Sequence, residues 1–130
     1  MYLLDTNICI YIINQKPSQV IQKFRQFNVK DIKISTLTAC ELAFGVEKSG
    51  SIKNKIALEK FLQPFDILAF DSDCIWHYAK LRHHLQRQGT PIGSIDMLIA
   101  SHALALDLTL ITNNTDEFSR IPNLKLENWI

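Results

Sequence analysis

The sequence predicts an α/β sandwich in which helices cover both faces of a largely parallel central sheet. Short apolar runs, typical of buried strands, alternate along the chain with segments whose apolar residues recur every three or four positions. The 130 residues fit one domain spanning 1–130, because domains usually contain about 100–200 residues and no linker or internal repeat divides this chain. With 47% apolar residues, four Gly and four Pro, the composition favours a globular protein with a real core.

Short, largely apolar runs predict the strands. Each run is followed by polar or turn-forming residues, which end the strand. In chain order the predicted strands cover residues 2–4, 32–34, 67–70 and 108–111, and the loop-like tail carries a further candidate near 124–126.

Helical spacing predicts four helices in the first half of the chain. Asp5 and the two polar residues after it can cap the first of them, and Thr38 stands three residues before Glu41, which is the spacing of a capping box. Pro64 follows the end of the fourth. The four predicted helices cover residues 8–13, 20–28, 39–46 and 54–62.

Two longer helices are predicted in the second half. The first begins after the capping residue Asp71, repeats its apolar positions from residue 75 onward and ends at Gly89. A loop at 90–93 follows, and Ser94 is the predicted N-cap of a helix over 95–106. That helix is apolar on almost every side, which predicts burial in the middle of the fold.

The net charge, the apolar runs and the cysteines indicate the broad class of protein. The net charge of +1 demands neither a nucleic-acid nor a membrane partner, and the longest apolar run has six residues, whereas a membrane span needs roughly 18–20. No secretory signal is recognisable, so we expect a cytoplasmic protein. Cys9, Cys40 and Cys74 are odd in number, widely spaced and flanked by apolar residues. They are predicted to be buried thiols in a reducing compartment.

Three acidic residues lie within or directly beside apolar segments that are predicted to be buried, where unpaired charges are rarely found. Asp5 follows the first strand, Glu41 lies in an apolar helical stretch, and Asp96 interrupts the apolar helix. Each also has a purely structural interpretation, respectively as a helix cap, a capping-box partner and a first-turn acid favoured by the helix dipole. The polar segment 112–116 follows the fourth strand and reaches the same sheet edge as Asp5, or else forms a plain turn.

If the inferred topology brings these acids into one cleft, their mutual repulsion requires a proton or a cation. A divalent cation satisfies that requirement. Oxygen ligands without His or Cys favour Mg²⁺ or Mn²⁺ over zinc, and such an ion can promote hydrolysis of a phosphodiester. The residues therefore predict metal-assisted phosphodiester hydrolysis at Asp5, Glu41 and Asp96.

The motifs resemble those of PIN-domain ribonucleases, and more narrowly those of the VapC toxins of bacterial toxin–antitoxin pairs. Matching stretches occur in the family's order and cover nearly the whole chain. They are LLDTNICIY at 3–11, ELAFGVEKS at 41–49, GTPIGSIDMLIASHA at 89–103, TNNTDEF at 112–118 and ENW at 127–129. The resemblance implies a PIN-like α/β/α sandwich and an endoribonuclease.

The same resemblance implies roles for individual residues. Asp5 and Asp96 would be metal ligands, and Glu41 would be a third acid of the site. The family often has a fourth acid after the late strand. Here the equivalent position is Asn114, with Asp116 nearby, so we expect one firmly bound Mg²⁺ and a second recruited by the substrate phosphate.

The resemblance also implies partners. The subgroup with this TNNT turn is similar to enzymes that cut initiator tRNA in the anticodon stem-loop, and it forms homodimers inhibited by a VapB-type antitoxin that blocks the acidic pocket. The basic cluster Lys80, Arg82 and Arg87, which flanks two histidines, is either a solvated helix face or a surface for RNA phosphates.

Two other functions fit parts of the pattern. A PIN-like domain without catalysis could serve as a binding module for nucleic acid or protein, although all three core acids are present. An aspartyl phosphotransferase would use Asp5 as its covalent nucleophile, but such sites usually carry a second acid beside the first, and this chain has Asn7 close by.

Overall fold

Five short strands form one sheet in which every neighbouring pair is parallel. The structure, a computed structural model, describes residues 1–130. The spatial order of the strands is β3-β2-β1-β4-β5. The predicted α/β sandwich with a parallel central sheet is therefore confirmed. The strands are β1 (Tyr2–Leu4), β2 (Ile32–Ser35), β3 (Asp66–Leu68), β4 (Thr109–Ile111) and β5 (Leu126–Glu127).

Seven α-helices connect the strands, together with two single turns of 3₁₀-helix at Val29–Asp31 and Ser72–Cys74. The last α-helix is one short turn that the sequence did not predict. The helices are α1 (Thr6–Asn14), α2 (Ser18–Arg25), α3 (Thr36–Ser49), α4 (Ile52–Leu62), α5 (Ile75–Gln88), α6 (Ser94–Ala105) and α7 (Thr115–Phe118).

Three predicted N-terminal caps differ from the structure. Asp71 caps the 3₁₀-helix Ser72–Cys74, and α5 follows it with Cys74 as its N-cap. Ser35 at the end of β2 caps α3 by accepting from the amide of Leu37 at 3.1 Å, so α3 begins before Thr38 and no capping box forms there. Gly93 rather than Ser94 is the N-cap of α6, without a side-chain hydrogen bond. The predicted end of the long helix at Gly89 agrees with the structure, where this residue adopts φ +68°.

The two faces of the sheet carry separate apolar cores because successive strand residues point to opposite sides. Leu3 and Leu110 pack with α5, α6 and α7 on one face. Leu4 and Ile111, the next residues in the same strands, pack with α1 to α4 on the other. The central strands β1 and β4 are therefore covered from both sides, as their continuous apolar sequences require.

The strand order places a crevice between the carboxyl ends of β1 and β4. From β1 the chain proceeds outward through β2 and β3, then crosses back to β4 on the other side of β1. The amide of Asp5 donates to the carbonyl of Ile111 at 2.9 Å, which ties the two strand ends together. Ligands of open parallel sheets bind at such a reversal point, so Asp5 and the residues after Ile111 occupy the expected place for a site.

The cysteines only partly follow the prediction. Cys9 and Cys74 are buried free thiols, whereas Cys40 is exposed. The prediction was wrong for Cys40 because α3 buries only a narrow stripe, which includes Thr38 and Leu42, and turns Cys40 toward solvent.

None of the helices has the length and apolar character needed to cross a bilayer.

Candidate active site

Asp5 is buried at the end of β1 and has both carboxylate oxygens engaged. Oδ1 accepts from the backbone amide of Thr6 at 2.8 Å, so Asp5 is the N-cap of α1. Oδ2 accepts from the hydroxyl of Thr112, which follows β4, at 2.7 Å. That hydroxyl also accepts from the amide of Asn114 at 3.0 Å. The capping interpretation and the site interpretation of Asp5 are thus compatible, because one residue performs the cap at the crevice.

Glu41 reaches the same crevice from α3. Its Oε1 accepts from the hydroxyl of Thr6 at 2.6 Å. Thr6 therefore contacts both acids, Asp5 through its backbone and Glu41 through its side chain. Because Glu41 is held by Thr6 across the fold, it is not the capping partner of Thr38, and that alternative interpretation of Glu41 is wrong.

Asp96 enters from the first turn of α6 and faces Glu117 of α7. Each of the two carboxyl groups shifts the pKa of the other. Gly93 lies directly beneath them, since a Cβ at this position would stand 3.7 Å from Asp96 Oδ2 and 4.0 Å from Glu117 Oε1. A Cβ at position 93 would therefore make ordinary van der Waals contact with both carboxyl groups.

Glu117 is the acid that the sequence interpretation missed. Its Oε1 accepts from the amide of Gly93 at 2.8 Å, and its Oε2 accepts from the side-chain amide of Asn114. Asp116, in contrast, is exposed, and its carboxylate makes no hydrogen bond to the other acids. Adjacent helical residues point about 100° apart, so only one of Asp116 and Glu117 can face the crevice, and the motif alone does not say which.

This arrangement changes two expectations. Asn114 lies at the site as predicted, but its side chain holds Glu117. Asp116 does not join the cluster. The expectation of one firmly bound ion rested on an uncharged fourth position; with Glu117 present, that reason no longer applies.

The carboxylates influence one another strongly. Burial, followed by the negative charges of Asp5 and Glu117, raises the pKa of Asp96 to about 7. Burial also raises the pKa of Asp5, against the lowering effect of its bonds to Thr112 and Thr6. The amide of Gly93, and then that of Asn114, lower the pKa of Glu117. The raised pKa of Asp96 and the lowered pKa of Glu117 mean that a proton shared by this pair is held mainly by Asp96 below about pH 7.

The carboxylate oxygens of the crevice are the type of ligand that hard divalent cations prefer, but they do not form a complete coordination site in this structure. No three His, Cys, Asp or Glu side chains are grouped closely enough to hold an ion as they stand. The acids that act on one another's charge all present oxygen, and their excess negative charge is what a divalent cation would neutralise. Asp5 is buried and Asp96 is half-buried, and both present carboxylate oxygens that could hold such an ion.

A buried hydrogen bond connects the two helices that carry Glu41 and Asp96. His102 of α6 is fully buried, and its Nδ1 lies 2.9 Å from the hydroxyl of Ser35, the N-cap of α3. Its ring also meets Phe70 edge-on, with 5.5 Å between ring centroids. Burial lowers the pKa of His102, so this contact is made by a neutral ring.

Comparisons with known proteins agree with this geometry. The chain matches the PIN domain family over residues 2–124. It is 44% identical to "Ribonuclease VapC2" of Rickettsia felis, with 99% of this chain and 98% of that protein aligned. It is 40% identical to "tRNA(fMet)-specific endonuclease VapC" of Shigella flexneri, with coverages of 98% and 97%.

A solved structure is similar over the same extent. This is a chain in the crystal structure of VapBC2 from Rickettsia felis bound to a DNA fragment from its promoter, with a TM-score of 0.89 and 43% identity. The alignment covers 99% of this chain and 98% of that one. Sequence and fold therefore lead to the same assignment: the chain belongs to the PIN-domain family, among its VapC-type members.

Proposed function

We propose that the protein is a metal-dependent endoribonuclease toxin of a toxin–antitoxin pair, and that its substrate is initiator tRNA, cut in the anticodon stem-loop. The observation that carries the proposal is the meeting of Asp5, Glu41, Asp96 and Glu117, each from a different element, at the reversal point of the sheet. A binding module would have no need to keep mutually repelling carboxylates in a crevice, because their repulsion disfavours folding.

In this proposal Asp5 and Asp96 hold the divalent ion, with Glu41 and Glu117 beside them. A bound Mg²⁺ or Mn²⁺ would neutralise the site and act as a Lewis acid toward the scissile phosphate. Thr112 and Thr6 keep the carboxylates of Asp5 and Glu41 oriented. Because the pKa of Asp96 is raised to about 7, metal binding at or below this pH should release a proton from this carboxyl.

The geometry disfavours the phosphotransferase alternative. Asp5 is 4% exposed, and each of its oxygens already accepts a hydrogen bond. A covalent nucleophile must be approached in line by the phosphorus, and the burial of Asp5 leaves little room for that approach.

The proposed substrate is based on similarity to a relative whose name states its substrate. The Shigella flexneri relative is called a tRNA(fMet)-specific endonuclease and aligns over nearly the whole chain. The TNNT turn lies at the site, where Thr112 and Asn114 each position an acid. A substrate that binds over this turn would contact the residues that also fix the carboxylates.

An apolar groove supports the partner part of the proposal. This groove is lined mainly by apolar residues of α1, α3 and α4, and Glu41 is one of its lining residues. An amphipathic helix of a VapB-type antitoxin would fit this groove and could extend an Arg toward the acids. The similar chain from Rickettsia felis was crystallised in a VapBC complex, which favours this kind of occupant.

We also propose that the protein forms a homodimer. Sedimentation equilibrium would test this, and a monomer at micromolar concentration would contradict it.

The decisive experiment is cleavage of total tRNA by the purified protein in Mg²⁺ and in EDTA, resolved on a denaturing gel. Wild type should give discrete fragments from one tRNA in Mg²⁺ alone. Asp96→Asn should reduce the rate at least about 100-fold, since loss of even outer-shell support costs 10–100-fold at metal sites. Asp116→Asn is the matched control, because Asp116 is an exposed acid on α7 outside the cluster, and it should cleave like wild type.

Other outcomes would have definite meanings. Intact RNA in every lane, with folding confirmed and any antitoxin removed, would favour the binding module. Equal activity of Asp96→Asn and wild type would overturn the assigned site, and fragments from many tRNAs would overturn the substrate.

A further inference from the structure

One face of α5 is uniformly basic or polar. Lys80, His83, His84, Arg87 and Gln88 line a single shallow pocket that contains no apolar residue. Their spacing of three, four, seven and eight residues from Lys80 places them on one side of the helix. Leu81 and Leu85 of the same helix are buried in the core. We call the five pocket residues the α5 stripe.

Nothing on α5 cancels the charge of the stripe. The chain has no Asp or Glu between Asp73 and Asp96. One acid, Asp107, lines the adjoining pocket together with Lys80 and His84, but it forms an ion pair with Lys125 at 3.0 Å. The stripe is therefore a basic surface whose field is not neutralised by its own neighbours.

The stripe runs toward the acidic crevice. α5 packs against α6, and the short loop between them connects Gly89, at the end of the stripe, to Gly93 beside Asp96. Arg120 lies at this loop, where its guanidinium donates to the carbonyl of Pro91 at 3.3 Å. Positive charge therefore continues from α5 to the rim of the crevice.

An acidic crevice repels the phosphates of an RNA until a metal is bound, so most of the affinity for RNA must come from elsewhere on the surface. We infer that the α5 stripe, continued by Arg120, binds the phosphate backbone of the RNA substrate outside the cleaved bond. The inference rests on the proposed function, because it names the surface by which that substrate is held.

The structure also separates residues that the sequence grouped together. Arg82 was predicted to belong with Lys80 and Arg87, but its guanidinium donates to the hydroxyl of Tyr78 at 3.0 Å. Two residues along a helix correspond to a rotation of about 200°, which turns Arg82 away from the stripe. Arg82 is thus an internal control with the same charge, the same helix and a similar exposure.

The test measures binding independently of cleavage. In the catalytically silent Asp96→Asn background, the Kd for labelled tRNA is measured by fluorescence anisotropy from 50 to 300 mM KCl. Neutralising Lys80 and Arg87 together, by Lys80→Gln and Arg87→Gln, should weaken binding at least about tenfold at 0.1 M salt. It should also reduce the slope of log Kd against log salt by about 1.4–1.8, the value for two lost phosphate contacts. Arg82→Gln should change neither.

In the enzyme with Asp96 restored, the double variant should raise KM and leave kcat within about twofold, because binding remote from the reacting bond is lost. Circular dichroism confirms folding, which these exposed substitutions should preserve. A Kd and salt slope equal to those of Arg82→Gln would overturn the inference even if wild type cleaves tRNA. If wild type binds tRNA through the stripe but never cleaves it, the proposed nuclease function fails and the binding surface stands.

Discussion

At the scale of single residues, the site is built by side chains that perform a structural and a chemical task together. Asp5 caps α1 and contributes an acid to the crevice, while Thr6 donates to both Asp5 and Glu41. Because the cap fixes the start of α1, the same bond that begins the helix also fixes one carboxylate. Local helix chemistry thus determines the position of the most buried acid.

The raised pKa of Asp96 makes the stability of the metal-free protein depend on pH. The folded state keeps this proton to about pH 7, whereas an unfolded Asp releases it near pH 4. Between these values the folded state binds more protons, so the free energy of unfolding should fall as pH rises from about 4 to 7. The raised pKa of Asp5 acts in the same direction. Asp96→Asn removes one contribution, so in EDTA at pH 8 it should unfold at a higher temperature than wild type.

The difference in unfolding temperature between Asp96→Asn and wild type should shrink at pH 5. At that pH the Asp96 carboxyl of wild type is protonated and is therefore as uncharged as the asparagine of the variant. Thermal unfolding in EDTA across pH 5–8 measures this difference, with Asp116→Asn as the control. The lowered pKa of His102 opposes the trend below about pH 6.5, but it is common to all variants and cancels in the comparison. A less stable Asp96→Asn protein at pH 8 would indicate a structural role for the carboxylate instead of a catalytic one.

At the scale of elements, Gly45 is the position in the groove between α1, α3 and α4 that carries no side chain. This residue lies in the interior of α3 and lines the groove, and a Cβ there would meet no atom within 4 Å. A glycine inside a helix disfavours folding by roughly 0.5–1 kcal/mol relative to Ala, so its presence calls for another explanation. A partner helix lying close against α3 would supply one.

Filling the groove should therefore separate inhibition from catalysis. Gly45→Phe should weaken the affinity for a VapB-type antitoxin at least about tenfold, since each 1.4 kcal/mol corresponds to that factor. Cleavage by the free enzyme should be little changed, because Gly45 is outside the acidic crevice. Gly45→Ala is the matched control and should weaken binding less. Calorimetric titration with the purified antitoxin measures both, and equal affinity of Gly45→Phe and wild type would place the antitoxin elsewhere.

At the scale of the whole molecule, Trp129 packs into the apolar core that contains Leu4 and Ile111. Trp129 is buried and stacks on Phe27 with 5.1 Å between ring centroids, and its Nε1 donates to Glu127 at 3.1 Å. Phe24 lies near the same ring. The last residues of the chain therefore pack on the segment that leads from α2 to β2 and secure the edge strand β5.

Removal of this ring should destabilise the fold. Trp129→Ala should lower the free energy of unfolding by about 3–5 kcal/mol, the usual cost of deleting a buried aromatic side chain. Trp76→Ala is the control, because that ring is 72% exposed, and its effect should stay within about 0.5 kcal/mol. Urea unfolding followed by circular dichroism measures both. Equal stability of the two variants would mean that the terminus is not part of the core.

The sequence by itself determined the alternation of strands and helices, the parallel sheet, and three of the acids in the crevice. These features follow from local periodicity and from charges placed in apolar surroundings, both of which are written along the chain. Only the tertiary structure showed that Glu117, and not Asp116, faces the crevice. It also showed that Arg82 points away from the α5 stripe and that Glu41 accepts a hydrogen bond from Thr6 instead of pairing with Thr38. Each of these choices depends on the rotation of a helix about its axis or on a partner distant in sequence, and packing against the rest of the fold sets both.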